Sequence, residues 1–344
     1  MMKNKSLKKM KRDIEAISPV VATILLVLVA VASAVAFYVF ESTWQEEQSR
    51  NLDDVDISTE MDYTLVVSGS STVYEFMTPA AEAYMAANPE ATVSVESIGS
   101  SGGIAAIVAG ACDIGMISES WSTANAAAYP DIVATTIAYD GVVIVIGDSA
   151  MTAHGITASN LKNMTSAIIK NVYNPADTTN DTWGELHHAL DHNYVIGTVA
   201  GDSDSIVTYQ RADGSGTEEV FCQKVLDQAK TYLDTTGTDA TATGNQGMID
   251  AVSANEDSIG FTSYGMTTAT DSTVNAFYLD GDQCTAATIK AEIASAGTGY
   301  EAARPLVILT NGQPSGHIEE FVQFVIDPEN NREFCSDSGY VSLY

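Results

Sequence analysis

The chain has 344 residues, 45% of them hydrophobic, enough to bury one large core or two medium ones. Fifteen Lys+Arg stand against 45 Asp+Glu, a formal net charge of −30. A surface of that sign repels nucleic acid and anionic lipid, which excludes both as partners, and it suits either a salty habitat or an ordinary acidic domain outside the cell.

Six of the basic residues fall within Met1–Arg12. An uncharged apolar run from Ile17 to Phe40 follows, about 24 residues, long enough to cross a ~30 Å hydrocarbon core as a helix. Pro19 stands at its start, where a missing N–H costs little, with Ser18 as the expected cap. Lysines precede the run and acidic residues follow it, so the remainder is expected outside the membrane. Residues 41–62 are polar and acidic and read as a stalk or linker.

From Tyr63 onward strand-like and helix-like segments alternate. Strands are expected at Tyr63–Ser68, Thr92–Ser97, Ile114–Ile117, Ile132–Ala138, Val142–Ile146, Ile206–Gln210, Ile259–Thr262, Val274–Leu279 and Pro305–Leu309. Helices are expected at Glu75–Ala87, Gly102–Ala109, Ser159–Met164, Thr217–Lys230, Gln246–Ala254 and Gly316–Ile326. This alternation predicts α/β sheets with ligands at the strand C-termini.

Three segments between a strand-like and a helix-like run share one composition: Ser68-Gly69-Ser70-Ser71-Thr72, Gly99-Ser100-Ser101-Gly102-Gly103 and Arg211-Ala212-Asp213-Gly214-Ser215-Gly216-Thr217. Glycines allow close backbone approach, first-turn N–H groups carry partial positive charge, hydroxyls donate, and an arginine adds a charged fork. One such loop is ordinary turn chemistry, whereas three in one chain point to a receptor for a tetrahedral oxyanion. Two loops lie early and one lies mid-chain, so a single site needs two facing lobes. Crossings are expected near Tyr139–Gly141 and Phe261–Tyr264. That gives one lobe of 63–139 and 263–344 and another of 140–262.

Other chemistry finds less support. His188 and His192 share a helical face, but no third metal ligand accompanies them and a solvated segment is the better reading. There is no Walker loop or C-x-x-C, and Ser215, in Gly-Ser-Gly, lacks the spacing of a nucleophile elbow. Cys112, Cys222, Cys284 and Cys335 leave three disulfide pairings open, and Cys112 and Cys222, among apolar neighbours, read as plain buried thiols. Asn163 and Asn180 head glycosylation sequons.

The three loops, Cys112-Asp113-Ile114-Gly115-Met116, Arg304-Pro305-Leu306 and Gly339-Tyr340-Val341-Ser342-Leu343 together resemble the phosphate-binding protein of the high-affinity phosphate ABC importer, from about Tyr63 to the C-terminus. The resemblance implies a two-lobed, hinged periplasmic-binding-protein fold. It also implies phosphate contacts from Thr72, Val73 (through its N–H), Ser100, Arg211, Ser215, Gly216 and Thr217, with Ser71 in support and Asp213 orienting Arg211. Ser118 occupies the position where some members carry an aspartate that accepts the proton of hydrogen phosphate. A serine can also accept, so binding is expected to survive this change better than selectivity against sulfate. Trp183-Gly184-Glu185-Leu186 resembles a packing motif of the same family.

At the other end, a small residue before the apolar run resembles the class III signal of archaeal type IV pilins, which implies cleavage between Ala16 and Ile17 by a prepilin-type peptidase. An uncleaved anchor is the alternative. The expected protein is thus a binding protein without enzymatic activity or cofactor. It is held at the cell surface by its N-terminal helix and delivers phosphate to an ABC permease. The competing reading is a pilin subunit, with copies of itself as partners in a filament.

Overall fold

The computed structural model of the protein describes residues 62–344, apart from Pro175, 177–180, Asp213, Lys230 and 269–271. The expected leader, apolar helix and stalk, with the Ala16/Ile17 cleavage point, therefore lie outside the described residues, as do Asp213 and Asn180. Among the described residues no helix is long and apolar enough to cross a membrane.

Nine strands are described: β1 (Tyr63–Gly69), β2 (Ala91–Ser97), β3 (Ile114–Ile117), β4 (Ile132–Gly147), β5 (Val207–Arg211), β6 (Ala240–Ala242), β7 (Ser258–Ser263), β8 (Val274–Ala276) and β9 (Ala303–Asn311). They join in the order β2-β1-β3-β9-β4-β7-β5-β6, and β8 also pairs with β4. β1 runs parallel to β2 and β3, and β5 runs parallel to β6 and β7. Each parallel pair needs a crossover, and helices supply it, such as Ser71–Ala87 between β1 and β2.

β4 ties the halves together. Sequence reasoning expected two strands here, Ile132–Ala138 and Val142–Ile146, with the chain crossing between lobes at Tyr139-Asp140-Gly141. The structure has one strand of 16 residues. Its first part pairs antiparallel with β9, down to Asp140 opposite Arg304, and its second part pairs with β7 and β8. The chain stays extended because Asp140 is not a turn residue but the buried partner of Arg304. Gly141 is required by a close approach: a methyl group there would lie 2.5 Å from Cys284 Sγ.

Two large apolar clusters flank this crossing. Leu65, Val67, Phe76, Met116, Ile137, Leu306, Ile308 and Phe321 belong to one. Val143, Val145, Trp183, Phe221, Ile259, Phe261 and Tyr300 belong to the other. β9 shows how the pattern is written: Leu306 and Ile308 face the first cluster, while Val307 and Leu309 alternate onto a small third cluster with Ile107 and Ile117. Phe277, Leu279, Cys284, Ile289 and Tyr300, expected in the first lobe, pack into the second cluster. β8 pairs with the far half of β4, so the chain returns only at β9.

The helix expected over Thr217–Lys230 is shorter, Gly216–Val220, and opens into a wide turn over Phe221–Val225, where Leu226 N–H donates to Phe221 O at 3.0 Å. Phe221 in that turn stacks on Phe261, with ring centroids 4.1 Å apart. Ser159–Met164 holds only a 3-10 turn, Asn160–Asn163. All four cysteines are free thiols and buried. Burial pushes the Cys112 and Cys222 thiols up to about 11 and Cys335 up to about 12, which makes them poor nucleophiles.

Candidate functional site

Five strand ends and the β4/β9 crossing converge on one buried polar cluster. β1 ends at Gly69, and Ser70 caps the following helix, its Oγ accepting from the N–H groups of Thr72 (3.1 Å) and Val73 (3.4 Å). β2 leads to Ser100, the first residue of its helix, and β3 ends just before Ser118. β5 ends in Arg211, after which Ser215 caps the next helix by accepting from Thr217 N–H (3.2 Å) and Glu218 N–H (3.4 Å). β6 leads to Asn245 near the start of the helix Gly244–Ala254.

The side chains meet across these elements. Thr72 and Thr217 hydroxyls are 3.1 Å apart, and Ser100 and Ser118 hydroxyls 3.4 Å. Gly216 sits against the second pair: a methyl group on it would lie 2.5 Å from Ser100 Oγ and 2.7 Å from Ser118 Oγ. Arg211 donates to Ser71 Oγ and to Asn245 Oδ1, both at 2.9 Å. Asn245 passes its own donor to Thr72 Oγ1 at 3.0 Å. Thr72, Ser100, Ser118, Arg211, Ser215, Thr217 and Asn245 are all buried.

Arg304 lies at the centre. It donates to Asp140 Oδ2 through Nε (3.0 Å) and Nη2 (2.7 Å), to Thr217 Oγ1 (2.9 Å) and Ser118 Oγ (3.2 Å) through Nη1, and to Thr72 Oγ1 (3.2 Å) through Nη2. Asp140 is further satisfied by Ser263 Oγ (2.8 Å) and Gly265 N–H (3.4 Å). A buried ion pair is tolerated only when its remaining donors and acceptors are met, and here they are. Tyr340 donates to Thr72 O at 3.0 Å, and burial raises its phenol well above the ordinary value, so it stays protonated as a fixed donor.

The sequence-predicted residues Ser71, Thr72, Ser100, Ser118, Arg211, Gly216 and Thr217 thus come together. Val73 and Ser215 sit at the same place, but the Val73 N–H and the Ser215 hydroxyl serve helix caps in this structure. Two residues escaped the sequence reading. Asn245 follows a strand and a glycine and opens a helix, the same composition as the other three loops, in Thr243-Gly244-Asn245-Gln246-Gly247. Arg304 is one of only three arginines after Asp62 and is flanked by Ala303 and Pro305, an apolar setting that signals a buried, partnered charge.

Elsewhere, Asn163 Nδ2 donates to Leu190 O at 2.8 Å, which holds that amide in the fold. His188 Nδ1 is bonded to Tyr194 O at 2.8 Å. Trp183 is fully buried, stacked on His154 at 4.3 Å.

A family model described as a PBP superfamily domain matches residues 46–329. The chain belongs to the PBP superfamily. The phosphate-binding protein PstS of Bacillus subtilis is 25% identical over 302 residues, 87% of each chain. Among solved structures, a substrate-binding protein assigned to a phosphate ABC transporter of Clostridium perfringens, with bound phosphate, aligns with a TM-score of 0.64 at 23% identity, covering 82% of this chain and all of its own. An ABC-type phosphate transport receptor from Vibrio cholerae aligns at 0.57 and 24% identity, covering 81% of this chain and all of its own. At these identities the two structures speak for the fold, an α/β periplasmic-binding-protein fold with helices packed on a curled sheet.

Proposed function

We propose that this protein is a solute-binding protein that captures inorganic phosphate between two hinged lobes and delivers it to an ABC importer. The observation that carries this reading is the cluster of four buried hydroxyls, Thr72, Ser100, Ser118 and Thr217, with two buried guanidiniums, Arg211 and Arg304, drawn from both sides of the β4 crossing. An apolar ligand gains nothing from such a lining, and a cation would face two fixed positive charges. A tetrahedral oxyanion takes one donor per lone pair, and each charge-assisted hydrogen bond contributes about 1.5–3 kcal/mol. The names of the relatives, phosphate-binding and phosphate-transport proteins, agree with this chemistry. Calorimetry of the full-length protein with phosphate, sulfate, molybdate and tungstate tests it. Failure of every tetrahedral anion to bind sinks the reading.

The cellular setting is part of the same proposal and rests on the sequence of Met1–Phe40. The basic leader and apolar run support a protein tethered outside the cytoplasmic membrane, cut between Ala16 and Ile17. Terminal sequencing of native protein tests the cut, and a mature terminus at Met1 removes it. Electron microscopy of sheared cell surfaces tests the tether, and abundant filaments of this chain would favour the pilin reading instead.

A further inference from the structure

At the far end of β4 from the anion cluster, three separate segments bring together a histidine and two aspartates. β4 leaves Asp140 and ends at Gly147, roughly 20 Å of extended chain at ~3.3 Å per residue, and the short helix Asp148–Ala153 after it delivers His154. β7 runs antiparallel to β4 and ends at Ser263, which bonds Asp140, and β5 runs parallel to β7. Asp204 and Asp257 precede the starts of β5 and β7, so both lie at the end remote from the cluster. One ligand atom from each of His154, Asp204 and Asp257 lies within 4.8 Å of the other two, and no other three His, Cys, Asp or Glu side chains are so placed among the described residues.

His154 is 1% exposed, with its ring stacked on Trp183. Its Nε2 lies 2.9 Å from Glu256 O and 3.0 Å from Asp257 Oδ1. A carbonyl and a carboxylate only accept, so Nε2 carries a hydrogen, and in the neutral ring Nδ1 is a bare lone pair. That Nδ1 is buried and has no hydrogen-bond partner among the described residues, a state that costs its full desolvation unless something binds it. Gly201 shows what it faces: a methyl group there would lie 2.6 Å from His154 Nδ1 and 3.1 Å from Asp204 Oδ2, so nitrogen and carboxylate border one space. Asp204 is fixed beside it, its N–H donating to Gly201 O and its carbonyl accepting from Trp183 N–H, both at 3.1 Å. We propose that His154 Nδ1 and the Asp204 carboxylate bind a divalent transition-metal cation, with Asp257 orienting the imidazole through Nε2–H. Metal-bound histidines characteristically donate their other N–H to a carboxylate or carbonyl, and both are present here. Imidazole selects zinc, nickel or copper over magnesium and calcium, which take oxygen donors. Two carboxylates beside a neutral ring carry a formal charge that one divalent ion balances, and a chain of net charge −30 attracts cations. Waters complete the coordination. The ion ties the end of one helix to the segments that enter β5 and β7, so its effect falls on stability rather than on the anion cluster.

The test is calorimetry of the full-length protein, stripped with EDTA and held in phosphate-free buffer, with the chlorides of zinc, nickel and magnesium. Wild-type protein binds zinc and nickel at least about tenfold more tightly than magnesium, and its melting temperature rises with either metal. Asp204→Asn, a change at an exposed side chain, weakens zinc binding at least about tenfold. Gly201→Ala, which fills the space and removes no ligand, does the same. The double variant His188→Gln/His192→Gln leaves zinc affinity unchanged, which separates the site from that other pair of imidazoles, whose rings are 6.0 Å apart. Thermal melts without metal establish that each variant is folded. Absence of zinc and nickel binding up to about millimolar concentration would show that Nδ1 takes a proton or a water instead, and would overturn the proposal. So would zinc binding that survives Asp204→Asn undiminished, or that disappears with His188 and His192. Metal uptake and its loss are read without phosphate, so the proposal stands apart from the anion-binding reading above.

Discussion

Arg211 does two jobs with one head group: it carries a buried positive charge beside the hydroxyl cluster, and it orients Asn245 and Ser71. Arg211→Ala should therefore cost phosphate binding about 2–4 kcal/mol, at least tenfold in affinity, as read by calorimetry. Near-normal binding by that variant would remove Arg211 from the site. Ser118 offers a complementary test. Ser118→Asp places a carboxylate beside Ser100 and Arg304 that accepts a ligand proton and repels a ligand without one, so sulfate affinity should fall more than phosphate affinity. Equal losses would show that Ser118 does not meet the anion. The residues legible in the sequence were those in loops with a dense local signature, such as Arg211 to Thr217. Arg304 was not legible as a site residue because nothing in its local sequence says that it stands opposite Asp140, 164 positions away in the chain. That proximity exists only once β4 and β9 have paired. Ser215 and Val73 show the converse: a motif gave their position, while the helix caps decided what their polar groups do here.

At the scale of elements, the site depends on helix starts being brought within hydrogen-bond distance from strands that belong to different apolar clusters. The closest approach is at Gly216, whose Cα faces Ser100 and Ser118. Gly216→Ala should push those hydroxyls apart and lower phosphate affinity by about tenfold or more, at a stability cost of about 1–3 kcal/mol. Calorimetry and urea midpoints separate the two effects, and unchanged affinity would show that the two hydroxyls need not lie this close for binding. A second element carries a pH signature. His187, on the helix Trp183–Leu190, stacks on Tyr194 at 3.5 Å, and burial lowers its pKa below the ordinary 6.5. The unfolded chain then binds a proton that the folded one refuses. Stability rises with pH across that window and is lost as pH falls below about 6.5. Urea midpoints between neutral and mildly acid pH should fall with acid, and His187→Gln should flatten the slope. An unchanged slope would assign the effect to other groups. Most strands were legible because β-branched runs bounded by glycine and polar turns read alike in sequence and in structure. The unbroken β4 was not, since the buried Asp140–Arg304 pair that accompanies the extended chain through Tyr139–Gly141 joins strands far apart in sequence.

Taken whole, the molecule sets a negative surface around a site built for anions. Only eight basic residues follow Asp62, and two of them, Arg211 and Arg304, are buried in the cluster. Composition alone made the acidity plain, but not that two of the three arginines after Asp62 lie inside. The division of labour has a kinetic consequence. A phosphate ion approaching from solution meets net repulsion, which salt screens over a length of roughly 8 Å at physiological ionic strength. Once bound, it is held by short hydrogen bonds in a buried cluster, where added salt has little effect. The association rate constant should therefore rise with potassium chloride, the opposite of the usual electrostatically steered encounter, while the dissociation rate constant stays nearly level. Stopped-flow measurement on the full-length protein over increasing potassium chloride tests this directly. An association rate that falls with salt would mean that the local field at the cleft mouth is positive despite the −30 formal charge, so that the exposed acidic residues lie away from the path of the ligand.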